Sequence, residues 1–145
     1  MEIKTNQSMS YNTLLSYSCN ISKKETMDLV FYMCQNMDVL NNNINGPPLI
    51  KCCENESDDK IEIMIPIAEN RYDIQSEFKY IHNFNLDNIV SYRYTGSFDR
   101  LEKAKNILKK YIIDNNYSQN SLFYYSVLNI DSNDNHTIDI IVSVK

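Results

Sequence analysis

Two acidic residues occupy corresponding places in the chain and are the first candidates for binding chemistry. Glu62 and Asp139 each interrupt a short run in which isoleucine or valine recurs at every second position. Because side chains alternate between the two faces of a β-strand, each carboxylate should lie on the face opposite the aliphatic one. Met64 and Ile141, two positions further along, should share that face. For both carboxylates, an ordinary solvent-facing role stays open.

Aromatic residues could complete a binding surface beside these carboxylates. The chain has no tryptophan, so its 11 tyrosines and 5 phenylalanines supply all the aromatic area. An acid next to an aromatic ring suits an organic cation, because Coulomb attraction and cation–π contact act together. Tyr92 and Tyr125 are the predicted aromatic members of this surface. Met64 and Ile141 are its predicted aliphatic members. Packing of each tyrosine in the core, with its hydroxyl hydrogen-bonded, is the alternative.

Composition excludes several classes of function. A length of 145 residues predicts one domain, 1–145. The net charge of −5 argues against a nucleic-acid partner, which requires clustered Lys and Arg. Two glycines are too few for a phosphate-binding loop of the P-loop or dinucleotide type, so no cofactor is predicted. The four cysteines contain no CxxC spacing, so no metal site is predicted.

The chain also lacks targeting signals. Its first twenty residues contain no apolar segment of the kind that signal peptides carry. The longest nearly unbroken apolar stretch, residues 61–68, is far too short to span a bilayer. A cytoplasmic location, with reduced thiols and no membrane partner, is therefore the expectation. A catalytic Cys–His pair stays open, but no catalytic residues are assigned.

An internal repeat organises the sequence. Residues 14–18 read like residues 89–93, and residues 61–67 read like residues 138–144, at offsets of about 75 and 77. The repeats are predicted to cover about 1–68 and 75–145, each in the order strand, strand, helix, strand, strand. The resulting fold is α+β, a duplicated β-β-α-β-β unit. Its antiparallel sheet carries two helices on one face and a ligand groove on the other.

The predicted elements follow from capping and periodicity. Ser22 and Glu25 form a capping-box pattern that opens a helix extending toward Leu40. The second helix is predicted from about Phe98 to Ile113. A hairpin closes each half, formed by 49–53 with 60–67 and by 122–128 with 137–144, and residues 70–77 are the expected linker.

The second repeat resembles a known family. The run from Val90 to Leu101, followed by a helix and a hairpin that ends in an Ile-Asp-Ile-Ile-Val strand, resembles the GyrI-like small-molecule-binding domain. This domain also forms the effector-binding half of some AraC-type and MerR-type regulators. Gly96 matches the family's glycine at the helix start, Phe98 stands in for its tyrosine, and Asp139 stands in for the glutamate of its last strand.

The resemblance implies binding of a small organic ligand that is lipophilic or cationic, in an effector-binding or drug-sequestering role. Many relatives carry a pocket glutamate in the strand that reads Phe123 to Ser126 here, without a carboxylate. The chain looks like the standalone form, since residues 1–9 leave no room for a helix-turn-helix domain. The family also offers two alternatives: a hydrolase of reactive strained-ring compounds, and a gyrase-inhibitor-like module whose protein partner is a gyrase or a transcription regulator.

Overall fold

The computed structural model describes residues 2–39, 44–52, 59–68 and 77–145, with only the backbone for 37–39. The predicted positions of Leu40, Cys53, the hairpin loop 54–58 and the linker 70–76 lie outside these residues. The elements in chain order are β1 (Ile3–Asn20), α1 (Lys23–Val39), β2 (Leu49–Cys52), β3 (Lys60–Pro66), β4 (Phe78–Gly96), a 3₁₀ turn (Phe98–Arg100), α2 (Glu102–Asp114), β5 (Tyr124–Asn129) and β6 (His136–Ser143).

The six strands form one antiparallel sheet that closes into a ring in the order β1, β3, β2, β5, β6 and back through β4 to β1. This confirms an α+β fold in which an antiparallel sheet is combined with two helices. Each half has the order strand, helix, strand, strand. That the two halves are structural duplicates that superpose stays a prediction.

The expectation of two strands before each helix was wrong. Ile3–Asn20 and Phe78–Gly96 are each one long strand, and the two strands pair with each other over most of their length. The pairing register shifts between Lys4 and Gln7 and again between Gln7 and Met9. These irregularities, which resemble β-bulges, bend a strand while the hydrogen-bonded ladder continues on either side.

Asparagine supplies most of the left-handed backbone in this glycine-poor chain. Among the described residues, the non-glycine positions with positive φ are Asn6, Asn83, Asn88, Asn116 and Asp134. Asparagine and aspartate tolerate this region better than other side chains do, because their short polar groups bond locally. Three of the five positions lie within β1 and β4.

Asn116 shows how such a residue ends a helix. Its φ is 60°, and its N–H donates to the carbonyl of Ile113 at 3.1 Å. The N–H of Tyr117 donates to the carbonyl of Ile112 at 3.0 Å. This pair of bonds is a Schellman motif, with asparagine in the place that glycine usually takes. Within the described residues, no helix is long and apolar enough to cross a membrane.

Both helices pack on the same side of the sheet. α1 contributes Met27, Val30 and Met33 to the main hydrophobic core, and α2 contributes Ala104, Leu108 and Ile112. The sheet contributes the aliphatic face of its two closing strands, which consists of Ile61, Ile63, Ile65, Ile67, Ile138, Ile140, Val142 and Val144. The alternation in the sequence therefore predicted correctly which side chains meet the helices.

We expect Asn83→Val to lower the free energy of unfolding by about 1–2 kcal/mol, because a β-branched residue is strained at the observed φ of 57°. Asn83→Gly should be close to neutral, since glycine adopts this conformation without strain. His82→Val is the matched control: it places the same side chain on the neighbouring exposed position, whose φ is not positive. Urea denaturation measures all three variants, and equal losses for the two valine variants would contradict the assignment of strain.

Candidate functional site

The face of the sheet that points away from the helices carries the two acidic residues. We call it the carboxylate face and define it by Glu62, Met64, Asp139 and Ile141. Met64 and Ile141 belong to a second hydrophobic cluster, separate from the helix-side core, and both are almost fully buried. The other buried members of this cluster are Leu14, Leu49 and Ile89. The two halves of the chain therefore place a carboxylate and an apolar residue two positions apart on this face.

Side chains from the two long strands cover the apolar centre of the carboxylate face. The partly buried residues packed against the second cluster include Tyr11, Ile81, Phe84 and Tyr124. The rings of Phe84 and Tyr124 meet edge to face, with centroids 5.6 Å apart and an interplanar angle of 76°. In this structure the centre of the expected groove is filled by the chain's own aromatic and aliphatic side chains.

The predicted position of Tyr92 and Tyr125 on the carboxylate face was wrong. Both are buried in the helix-side core, at 4% and 3% exposure. Both pair across the sheet with Ile140, which also faces the helices. The ring of Tyr125 contacts Phe98 edge to face, with centroids 5.6 Å apart. The adjacent residue, Tyr124, is the tyrosine of β5 that reaches the carboxylate face.

Glu62 is held by three polar groups. The hydroxyl of Ser16 donates a short hydrogen bond to its Oε2. The Nζ of Lys51 lies 3.1 Å from Oε1, and the Nζ of Lys79 lies 3.6 Å from Oε2. Cross-strand pairing brings these groups together, since Lys51 is the direct neighbour of Glu62 on β2, and Ser16 of β1 is the direct neighbour of Lys79 on β4. Only 11% of the Glu62 side chain is exposed, so this carboxylate is buried as part of an ion-paired cluster.

The surroundings of Glu62 determine its protonation. Burial by itself raises the pKa of the carboxyl group, because desolvation disfavours the charged form. The hydrogen bonds from Ser16 and Lys51 and the charges of Lys51 and Lys79 act in the opposite direction and together outweigh burial. The pKa of Glu62 is therefore lowered, and the residue is a carboxylate at neutral pH.

Asp139 is held by one arginine, whereas Glu62 is held by two lysines and a serine. The guanidinium of Arg93 binds it in a two-pronged contact, with Nε at 2.8 Å from Oδ1 and Nη2 at 3.1 Å from Oδ2. The hydrogen bond and the charge of Asp139 raise the pKa of Arg93. The pair is more open to solvent than the Glu62 cluster, since 56% of the Arg93 side chain and 23% of the Asp139 side chain are exposed.

The cationic partners Lys51, Lys79 and Arg93 are the site residues that sequence reasoning missed. The pairing pattern contains the signal: Glu62 lies between Ser18 and Lys51, and Asp139 lies between Arg93 and Ser126. At the repeat offset of about 75, Ser18 corresponds to Arg93 and Lys51 to Ser126. Each carboxylate therefore has one cationic and one serine neighbour, on opposite sides in the two halves.

The described residues contain no group of histidine, cysteine, aspartate and glutamate side chains that could hold a metal ion. Cys19, Cys34 and Cys52 are of intermediate burial. His136 is buried and takes part in a turn, where its Nδ1 accepts the N–H of Asp131 at 3.0 Å and its Nε2 lies 2.8 Å from Asp134. This arrangement gives the histidine a structural role in the β5–β6 connection.

Comparison with solved structures shows which proteins share this fold. The C-terminal domain of EcmrR superposes with a TM-score of 0.68 at 12% identity, covering 97% of this chain and 98% of that domain. EcmrR in a complex with DNA gives a TM-score of 0.71 at 13% identity; 99% of this chain is covered, but only 57% of the longer EcmrR chain. At these identities the likeness is one of fold.

Two further structures bear on ligands and chemistry. SAV2435 bound to tetraphenylphosphonium gives a TM-score of 0.52 at 15% identity, covering 99% of this chain and 93% of that one. A protein from Listeria innocua, named as a hydrolase, gives a TM-score of 0.60 at 9% identity, covering 99% and 91%. No protein-family model and no curated protein matches the sequence.

We expect Glu62→Gln to lower the free energy of unfolding at pH 7 by about 1.5–3 kcal/mol, the usual value of a hydrogen-bonded charged group. Since the pKa of Glu62 is lowered in the folded state, the charged form stabilises the protein above the unfolded pKa of about 4.3. That contribution is lost as the pH falls through the folded pKa, so the difference between variant and wild type should shrink below about pH 4.

Asp139→Asn is the matched comparison, because it removes the carboxylate of a more exposed ion pair and should cost about 0.2–1 kcal/mol at pH 7. Urea denaturation of both variants and the wild type at pH 7 and pH 3 gives the required free energies. A loss for Glu62→Gln that is the same at both pH values would contradict the role of its charge.

Proposed function

We propose that this chain binds a small lipophilic or cationic organic molecule on its carboxylate face, in an effector-binding or drug-sequestering role. The observation that carries the proposal is the match in fold, over nearly the whole chain, to SAV2435 bound to tetraphenylphosphonium. The match to the C-terminal domain of EcmrR over nearly the whole of both chains supports the same assignment.

Asp139 is the carboxylate that can receive a cation at the lower energetic cost. A ligand would need to displace one guanidinium, that of Arg93, whose side chain is already half exposed. At Glu62 a ligand would need to displace two lysines and a serine hydroxyl from a buried group. A largely exposed ion pair contributes only about 0.2–1 kcal/mol, so exchange of Arg93 for a ligand cation is energetically accessible.

The apolar part of the ligand would take the place of the chain's own covering side chains. Phe84 and Tyr124 already form an edge-to-face pair over the buried cluster that contains Met64 and Ile141. An aromatic ligand could substitute for one ring and keep the contact with the other. Phe84 belongs to the segment of β4 between Asn83 and Asn88, which both have positive φ, and the register with β1 shifts at the Asn88 end of this segment. This is the segment that we expect to move when a ligand enters.

The test is a calorimetric titration with tetraphenylphosphonium and with its neutral relative triphenylphosphine oxide. Asp139→Asn should weaken binding of the cation by about ten- to a hundredfold and leave the neutral compound almost unchanged, since only the charge is removed. Glu62→Gln should weaken cation binding less than Asp139→Asn does. Arg93→Gln should strengthen binding of the cation by about two- to fivefold, because it removes the competitor for Asp139.

Asp114→Asn is the control, since it removes an exposed carboxylate that is paired with Lys110 on α2, and it should leave both affinities unchanged. Equal losses for cation and neutral compound in Asp139→Asn would mean that the substitution damages the fold. Unchanged cation binding in both Asp139→Asn and Arg93→Gln would exclude the carboxylate face as the binding surface.

A hydrolase is the second candidate, because structures named as hydrolases from Listeria innocua share the fold. General acid catalysis by a carboxyl group at neutral pH requires a raised pKa, whereas the pKa of Glu62 is lowered. Burial raises the pKa of Tyr11, so its phenol stays protonated at neutral pH and does not act as a base there. The lowered pKa of Glu62 opposes a general-acid role for this carboxyl group. Turnover of a strained-ring alkylating compound that is abolished by Asp139→Asn would favour the hydrolase instead.

A further inference from the structure

Three lysines lie together at one end of the sheet, in a protein whose net charge is −5. A surface cleft of about 520 Å³ lies where β1 ends and where β3 and β4 begin. We call it the lysine cleft; it is lined by Ser18, Lys51, Cys52, Lys60, Ile61, Glu62, Lys79 and Leu122. Three lysines and one glutamate line it, so these side chains carry two more positive than negative charges.

The one carboxylate of the lysine cleft is already neutralised. Ser16 and Lys79 contact one oxygen of Glu62, and Lys51 contacts the other. An ammonium group has three N–H donors, and the contacts to Glu62 use at most one from each of the two lysines. Lys60 forms no ion pair with any residue that the structure describes. Among the residues that the structure describes in its lining, the cleft therefore presents ammonium donors to solvent, and its one carboxylate is already paired.

The anchoring of Lys51 and Lys79 makes the lysine cleft more than a set of surface lysines. The buried Glu62 holds both ammonium groups on the same side of the sheet, since its oxygens lie 3.1 and 3.6 Å from them. The side chain of Lys51 is only 34% exposed. Part of the conformational entropy that a flexible lysine would lose on binding a ligand is therefore already lost in the free protein. Paired cations held in place are the arrangement that binds oxyanions through charge-assisted hydrogen bonds.

The rest of the lining sets the size and character of a ligand. A volume of about 520 Å³ is within the range of small-molecule sites. Leu122 supplies an exposed apolar wall, and Ser18 supplies an exposed hydroxyl. A compact molecule with one oxyanion and one apolar edge would match both the charge and the wall.

We propose that the lysine cleft binds a small organic oxyanion, with Lys51, Lys60 and Lys79 around the anionic group and Leu122 against its apolar part. Carboxylates and phosphate monoesters share this chemistry. The cleft is separate from the cation site proposed at Asp139, because the two carboxylates belong to different strands and have different cationic partners. One domain would then recognise ligands of opposite charge at two ends of the same face.

The experiment is a titration of isotopically labelled protein with benzoate, phenyl phosphate and the neutral compound benzamide. Binding is measured from the amide chemical shifts in NMR spectra. We expect saturable shifts at Ser18, Lys51 and Lys79 with benzoate or phenyl phosphate and none with benzamide. If phenyl phosphate binds tenfold or more tightly than benzoate, the ligand is a phosphate. If benzoate binds as tightly as phenyl phosphate or more tightly, the ligand is a carboxylate. The absence of saturable shifts with both anions would overturn the proposal.

Lys60→Gln and Lys79→Gln should each weaken anion binding by about three- to tenfold. Lys60→Gln should leave folding unperturbed, because this exposed side chain forms no ion pair with any residue that the structure describes. Lys79→Gln also removes one partner of Glu62, so urea denaturation of this variant separates a loss of stability from a loss of binding. Lys103→Gln is the control, since it removes an exposed lysine on α2, and it should change nothing. Equal weakening in Lys103→Gln would mean that only overall charge matters and would overturn the proposal. Saturating tetraphenylphosphonium should not displace the anion, because the two proposed sites are separate. The anion proposal and the cation proposal can therefore each be contradicted without affecting the other.

Discussion

A closed antiparallel sheet is the constraint on which the other features of this molecule depend. Every strand has a neighbour on both sides, so the backbone is paired around the ring and each side chain points to one of two faces. The helices cover one face, which is lined by aliphatic and aromatic residues. The charged residues that pair with Glu62 and Asp139 accordingly lie on the other face. The charged side chains around Glu62 and Asp139 are concentrated on that face because the helices cover the opposite one.

Burial of Glu62 on that face dictates the charges around it. An ionised carboxylate that is largely removed from water must be paired and hydrogen-bonded, or it would take up a proton. Ser16, Lys51 and Lys79 meet this requirement from three strands. Because two lysines serve one carboxylate, the first-repeat end of the face becomes positive. At the other end, one exposed arginine serves Asp139, which leaves that carboxylate easier to reach.

The scarcity of glycine shapes how the long strands run. With only two glycines in the chain, asparagine takes the left-handed positions in β1 and β4 and at the end of α2. Each of β1 and β4 nevertheless continues as one strand through its left-handed residues, and side chains of both reach over the apolar centre of the carboxylate face.

Properties that depend on near neighbours along the chain could be predicted from the order of the amino acids. The capping pattern at Ser22 and the periodicity after Phe98 placed the helices, and the alternation around Glu62 and Asp139 assigned the carboxylates and the aliphatic residues to opposite faces. These are local relationships, because the period of a helix or a strand is a property of consecutive residues.

Contacts between residues on different strands could be identified only in the folded chain. Ser16 and Glu62 are 46 residues apart, as are Arg93 and Asp139, and neither pair follows from the periodicity of one strand. The positions of Tyr92 and Tyr125 were mistaken for the same reason, since their face depends on pairing with Ile140 in another strand. The register between distant strands is set by the packing of the whole sheet, and a shift of one residue would reverse every such assignment.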